Sequence, residues 1–140
     1  MTVFISTVFI LTLLVCYFDW RYRIIPNWLC LLILVLSISS LMITKNPFEW
    51  LSFVILLPVS LLVWKVGIWG AGDSKLLLAF FPMIDSQYYL STMIYIGFAG
   101  FVTVIVFLIS KKISDKNKFN SVPYGIPIAL SCFITSVGSI

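Results

Sequence analysis

Apolar residues run along this chain in long unbroken blocks, and the polar positions between them are few. The first 18 positions carry no charge before Asp19. Blocks of comparable character follow over roughly 28–44, 49–65, 88–109 and 122–139, with a shorter one within 73–85. A helix needs about 20 apolar residues to cross a hydrocarbon layer roughly 30 Å thick. Only helices or closed barrels satisfy their backbone in lipid, and continuous rather than alternating runs favour helices. The pattern therefore predicts an all-α, polytopic membrane protein, a bundle of about six transmembrane helices at 2–18, 28–44, 49–65, 73–85, 88–109 and 122–139. The fourth block is the shortest. Its apolar core runs only from Leu76 to Ile84, and Pro82 interrupts it. It becomes long enough only by starting near Asp73 or by tilting among its neighbours. Pro58 and Pro127 are expected to kink the third and sixth helices.

Composition supports this picture. The 140 residues are 61% hydrophobic and 10% charged, against about 25% charged in an ordinary soluble domain, and the mean hydropathy is +1.14. The net charge of +4 has a topological origin. With the N-terminus outside, Arg21, Arg23, Lys65, Lys75, Lys111, Lys112, Lys116 and Lys118 all fall on the inner side, and only Lys45 stays outside. Basic residues collect on the cytoplasmic face in this way, so no nucleic-acid partner is implied. The lipid bilayer is the expected surrounding and the inner (plasma) membrane the expected location, with residues 1–140 forming one transmembrane domain. The first block has no charged lead-in and no small-residue cleavage site, so it reads as a true span and not a signal peptide.

Chemistry narrows further. There is no histidine, which removes Ser-His catalysis and His-ligated zinc. Cys16, Cys30 and Cys132 form no CxxC pair and read as lipid-facing or core-filling thiols; no metal or organic cofactor is expected. The five tryptophans, Trp20, Trp28, Trp50, Trp64 and Trp69, sit near span ends as an aromatic belt does. Gly97 and Gly100 read as positions where a neighbouring helix approaches.

Only five residues are acidic, and two of them stand at the ends of apolar blocks, where ionisable groups are costly and mark function. Asp19 opens Asp19-Trp20-Arg21-Tyr22-Arg23-Ile24-Ile25-Pro26-Asn27. Pro26 disfavours helix at Ile25, which ends the first helix, and Asn27 is suited to cap the second. Asp73 closes Gly67-Ile68-Trp69-Gly70-Ala71-Gly72-Asp73. Glycine-rich sequence of this kind permits positive φ or close backbone approach and suits a turn, or a groove for an extended substrate. Two spans separate the aspartates, so both fall on the inner face. Each feature also has a plainer reading. Asp19 could pair with Arg23 if the helix continues, and Asp73 could cap its own helix. Arg21 and Arg23 read as headgroup anchors, and Lys75 as a side chain that snorkels. The segment Val122-Pro123-Tyr124-Gly125-Ile126-Pro127 reads as a structural entry turn.

Asp-x-Arg-x-x-x-Ile-Pro-Asn after the first helix, paired with Gly-x-Gly-Asp-x-Lys before the fourth, resembles the type IV prepilin peptidases, the GxGD aspartic proteases. The late Pro-Tyr-Gly-Ile-Pro segment resembles the last helix of that family. The resemblance implies an intramembrane aspartic endopeptidase that removes a short basic leader from prepilin-like precursors at the cytoplasmic membrane face. It maps the catalytic pair onto Asp19 and Asp73, and motif support onto Arg23, Pro26, Asn27, Gly70, Gly72 and Lys75. The family's larger members carry a cysteine-rich cytosolic insert and also N-methylate the new amino terminus. This chain lacks the insert and resembles the short branch serving tight-adherence (Flp) pili, with no methyltransferase activity expected. Prepilin-like precursors are the implied partners, together with pilus-assembly machinery.

Two neighbouring carboxylates share one proton and so supply an acid and a base for attack by water. A helix dipole favours the charged form at an N-terminus and the neutral form at a C-terminus, which designates Asp73 the base and Asp19 the acid at rest. The rival readings are a proton- or cation-coupled transporter, which would place its acids near mid-span, and a non-catalytic pilus-assembly scaffold.

Overall fold

A computed structural model describes residues 2–44, 47–66, 70–113 and 122–139. Lys45, the Gly67-Ile68-Trp69 stretch, Lys116 and Lys118 lie outside the described residues, as do the side chains of Lys111 and Lys112. Six α-helices and no strand occur among the described residues: α1 (Thr2–Tyr22), α2 (Asn27–Thr44), α3 (Pro47–Lys65), α4 (Ala71–Phe80), α5 (Tyr89–Ile113) and α6 (Gly125–Ser139). Two helical stretches, Thr2–Tyr22 and Ser86–Ser110, are long and apolar enough to cross a membrane. Shorter apolar helical stretches cover Asn27–Ile43, Phe53–Leu62 and Gly125–Ser139. The outward faces are apolar too. Ile43, Phe98, Leu90 and Val3 are each more than 70% exposed.

The shortest apolar block behaves differently from a span. Helix α4 has 10 residues and is about 15 Å long, half the hydrocarbon thickness. Pro82 cannot continue it, and the chain passes into 3₁₀ turns at Phe81–Met83 and Ser86–Tyr88. The expected fourth helix is therefore present, but its α-helical part is shorter than 73–85 and is enclosed by α2, α3 and α6. Leu76, Leu77, Ala79, Phe80, Phe81 and Ile84 are almost wholly buried. The irregular backbone after Phe80 is likewise enclosed by protein, with Phe81, Met83 and Ile84 buried. Pro127 also departs from expectation. It lies in the first turn of α6, where a missing N–H costs nothing and no kink need follow. Pro58 is interior to α3.

Around α4 the helices are joined by small and polar side chains, which associate helices where apolar surface alone gives little preference. The Ser37 hydroxyl on α2 donates to the Ala79 carbonyl near the end of α4 and also lies 2.6 Å from the Ile33 carbonyl of its own helix. Ala79 is in the last turn of α4, where carbonyls lack helical partners, so Ser37 satisfies one from outside. Gly100 faces the Tyr124 ring, and a Cβ there would meet Cε1 at 3.5 Å, an ordinary contact that makes no demand for glycine. Gly97 does not match its expected packing role, having nothing within 4 Å of where a Cβ would be. Cys30 and Cys132 are buried and fill the core. Trp20, Trp28, Trp50 and Trp64 are exposed. Helix α6 is the hub, packing on α1, α4 and α5. Replacing Ser37 with Ala should leave the Ala79 carbonyl without that donor and destabilise the protein by about 1–3 kcal/mol. Thermal unfolding in detergent, compared with exposed Ser39→Ala, checks this.

Candidate active site

The site forms where α1 ends and α2, α4 and α6 begin. Helix α1 stops at Tyr22 because Arg23 adopts φ = 56°, the left-handed conformation that commonly closes helices, usually on glycine. Its amide donates to the Asp19 carbonyl at 3.2 Å. Pro26 then begins the next helix from outside: its carbonyl accepts the Leu29 and Cys30 amides at 3.1 and 3.3 Å. Asn27 is accordingly the first residue of α2 and not its cap. Its Oδ1 instead accepts from Lys75 Nζ at 3.2 Å, joining the starts of α2 and α4. This contact gives exposed Lys75 a partner in place of simple snorkelling.

Asp73 occupies the first turn of α4, and its carboxylate turns back to accept the Gly70 amide. Gly70 is extended, with φ −66° and ψ 151°, so its value is space and not positive φ. A Cβ there would stand 3.0 Å from Asp73 Oδ2. Gly72 is less confined. A Cβ there would meet Ile25 at 3.7 Å, an ordinary contact.

Asp19 is 6% exposed, and its donors come from a distant part of the chain. The Ile126 amide donates to Asp19 Oδ2 at 3.2 Å, and the Gly125 amide also reaches the carboxylate. Asp19 therefore caps the N-terminus of α6. The dipole argument that assigned it the acid role considered α1 alone; at the start of α6 a second dipole acts on Asp19 in the opposite sense. Arg23 and Asp19 attract one another, but α1 does not continue through Arg23 as the simple pairing required. Burial draws the Arg23 guanidinium below its ordinary range and the Asp19 charge opposes this. The guanidinium carbon lies 5.6 Å from the centre of the Phe107 ring, a cation–π distance.

Asp19 and Asp73 line one cavity of about 370 Å³ and act on each other electrostatically. Arg23, Asn27, Gly70, Gly72 and Lys75 line it as well, so it gathers every sequence-predicted site residue except Pro26, which contributes its helix-starting carbonyl. The apolar lining includes Ile24, Ile25, Val122 and Tyr124. Sequence reasoning gave Ile25 no site role and read Tyr124, Gly125 and Ile126 only as part of an entry turn. Gly125 ahead of Pro127 in a helix start was the available signal, since free first-turn amides attract anions; nothing local identified which anion.

A cavity at one end of a helical bundle, carrying two carboxylates each held by helix-terminal amides, has the equipment of a hydrolase. The type IV leader peptidase family model matches residues 6–109, and the chain belongs to that family. It is thus a peptidase of a membrane-associated family that acts on prepilin-like precursors. No curated protein and no solved structure matches the chain.

Removing the bridge between α2 and α4 should have a small effect, because it is exposed and single. Lys75→Ala or Asn27→Ala is expected to change stability by less than about 1 kcal/mol, measured by thermal unfolding in detergent. A larger loss would show that the contact holds α4 in place.

Proposed function

We propose that this protein is an aspartic endopeptidase in which Asp19 and Asp73 form the catalytic dyad. The observation that carries the reading is their presence in one cavity although two helices separate them in sequence. The ionised carboxylate takes a proton from water, whose oxygen attacks the scissile carbonyl. The protonated carboxylate donates to the carbonyl oxygen. Collapse of the tetrahedral intermediate breaks the C–N bond, and a carboxylate-held proton passes to the departing amine. The transporter reading requires acids at mid-helix, whereas these lie at helix ends.

In this reading the bundle crosses the inner membrane with its N-terminus outside. α1, α2, α3 and α5 provide the long walls, and α4 is sheltered among its neighbours. The cavity then opens at the cytoplasmic rim, where Arg21, Arg23, Lys65 and Lys75 meet the headgroups. A precursor would present an apolar helix alongside and leave its basic leader at that rim. Its cleavage site must unwind to expose a peptide bond, and the glycine-flanked side of the cavity offers room for extended main chain. Only residues 23–26 join α1 to α2, leaving no room there for a cytosolic insert. This supports the short, Flp-type branch and a role in leader removal without N-methylation.

The decisive experiment mixes purified protein in detergent with a leader-bearing prepilin-like precursor. Asp19→Asn and Asp73→Asn should each lower cleavage by at least about 10³-fold, since members of a catalytic unit fail singly, while both proteins accumulate normally. Cleavage retained by either variant removes that residue from the dyad. For topology, single cysteines placed at residues 24 and 75 in a cysteine-free background should be labelled from the cytoplasmic side only. Labelling from opposite sides would exclude the arrangement.

A further inference from the structure

We propose that the N-terminus of α6, through Gly125 and the Ile126 amide, positions the Asp19 carboxylate; this rests on the dyad reading above. The segment lies beyond the residues matched by the family model, and three observations converge on it.

The first is the fate of the first-turn amides of α6. A helix leaves its early N–H groups without helical partners. In α6, Pro127 has no N–H, and the Ile128 amide bonds to the Tyr124 carbonyl at 3.4 Å. The remaining amides, those of Gly125 and Ile126, both reach Asp19. The bond from Ile126 goes to Oδ2, which ties the carboxylate to the start of α6 through that oxygen.

The second is space. A Cβ on Gly125 would lie 2.9 Å from Asp19 Oδ2, 3.0 Å from Asp19 Cγ and 2.8 Å from Ile25 Cδ1. No other described glycine is so confined. Its backbone is not left-handed, so alanine can adopt it. The atoms that must yield are the ends of side chains, and one of them is the carboxylate itself. Gly125→Ala should therefore fold and displace Asp19.

The third is connection. Helix α6 packs on both α1 and α4, and Ile25 lies between Gly125 and Gly72, at the starts of α6 and α4. The start of α6 thus sets Asp19 relative to the helix that carries Asp73. A misplacement of about 1 Å in a reacting group costs on the order of 10²-fold in rate.

The test measures cleavage of a leader-bearing precursor by full-length protein in detergent. Gly125→Ala and Ile126→Pro should each lower kcat about 10- to 100-fold while KM stays within about twofold. Proline in a first helical turn deletes the donor without breaking a helical bond, so Ile126→Pro carries the test if Gly125→Ala does not accumulate. Gly97→Ala, in open space, is the control, and melting temperatures should match it within a few degrees. The double variant Gly125→Ala/Ile25→Val removes the Ile25 clash only and should stay impaired; full recovery would overturn the proposal. So would more than half of wild-type kcat in Ile126→Pro, or a defect confined to KM. If Asp19→Asn is inactive while Gly125→Ala and Ile126→Pro remain active, the positioning role falls and the dyad stands. If Asp19→Asn cleaves normally, the dyad fails and this proposal with it.

Discussion

A carboxylate buried at the end of an apolar helix must find hydrogen-bond donors within the protein, and the structure is arranged around that need. Asp19 cannot obtain them from α1, whose last turn offers carbonyls rather than amides. They come from α6, more than a hundred residues on, where the Gly125 and Ile126 amides meet its side chain. That requirement draws the first and last helices together. It also explains a glycine at a crowded helix start, and an arginine in a left-handed turn that ends α1 just beyond the acid. The second acid solves the same problem locally, accepting the Gly70 amide at the start of its own helix.

The two solutions differ in mechanical consequence. Asp73 moves with α4 because its donor belongs to the turn that opens α4. Asp19 is fixed between two helices and depends on how they pack. Side-chain hydroxyls and glycines help hold those positions. Ser37 joins α2 to the end of α4, and Gly125 leaves room for the Asp19 carboxylate at the start of α6. In an apolar surrounding, burying one more leucine distinguishes few arrangements, whereas an unmet carbonyl or a blocked close approach distinguishes many.

Helix α4 shows why a site of this kind can sit at the edge of a bundle. Too short to span hydrocarbon alone, it is surrounded by α2, α3 and α6. Its enclosure also buries the irregular backbone stretch after Phe80. Its N-terminus is left at the open end, beside the beginnings of α2 and α6. Several helix starts therefore converge on one cavity, together with the acids that their amides favour.

The sequence by itself determined the helical class and most helix positions to within a few residues, and it singled out two acids that line one cavity. Continuous apolar runs, proline and the scarcity of charge act locally or by composition. The Asp19 and Asp73 motifs were legible for the same reason, being rare polar insertions in apolar sequence. Tertiary structure alone decided that 73–85 is a sheltered short helix, that Asn27 meets Lys75 instead of capping α2, and that Asp19 sits on the start of α6. Each of these is a question of which distant group lies opposite. One-dimensional periodicity records which face of a helix is apolar, but it carries no information about the neighbour that face, or that free amide, will meet.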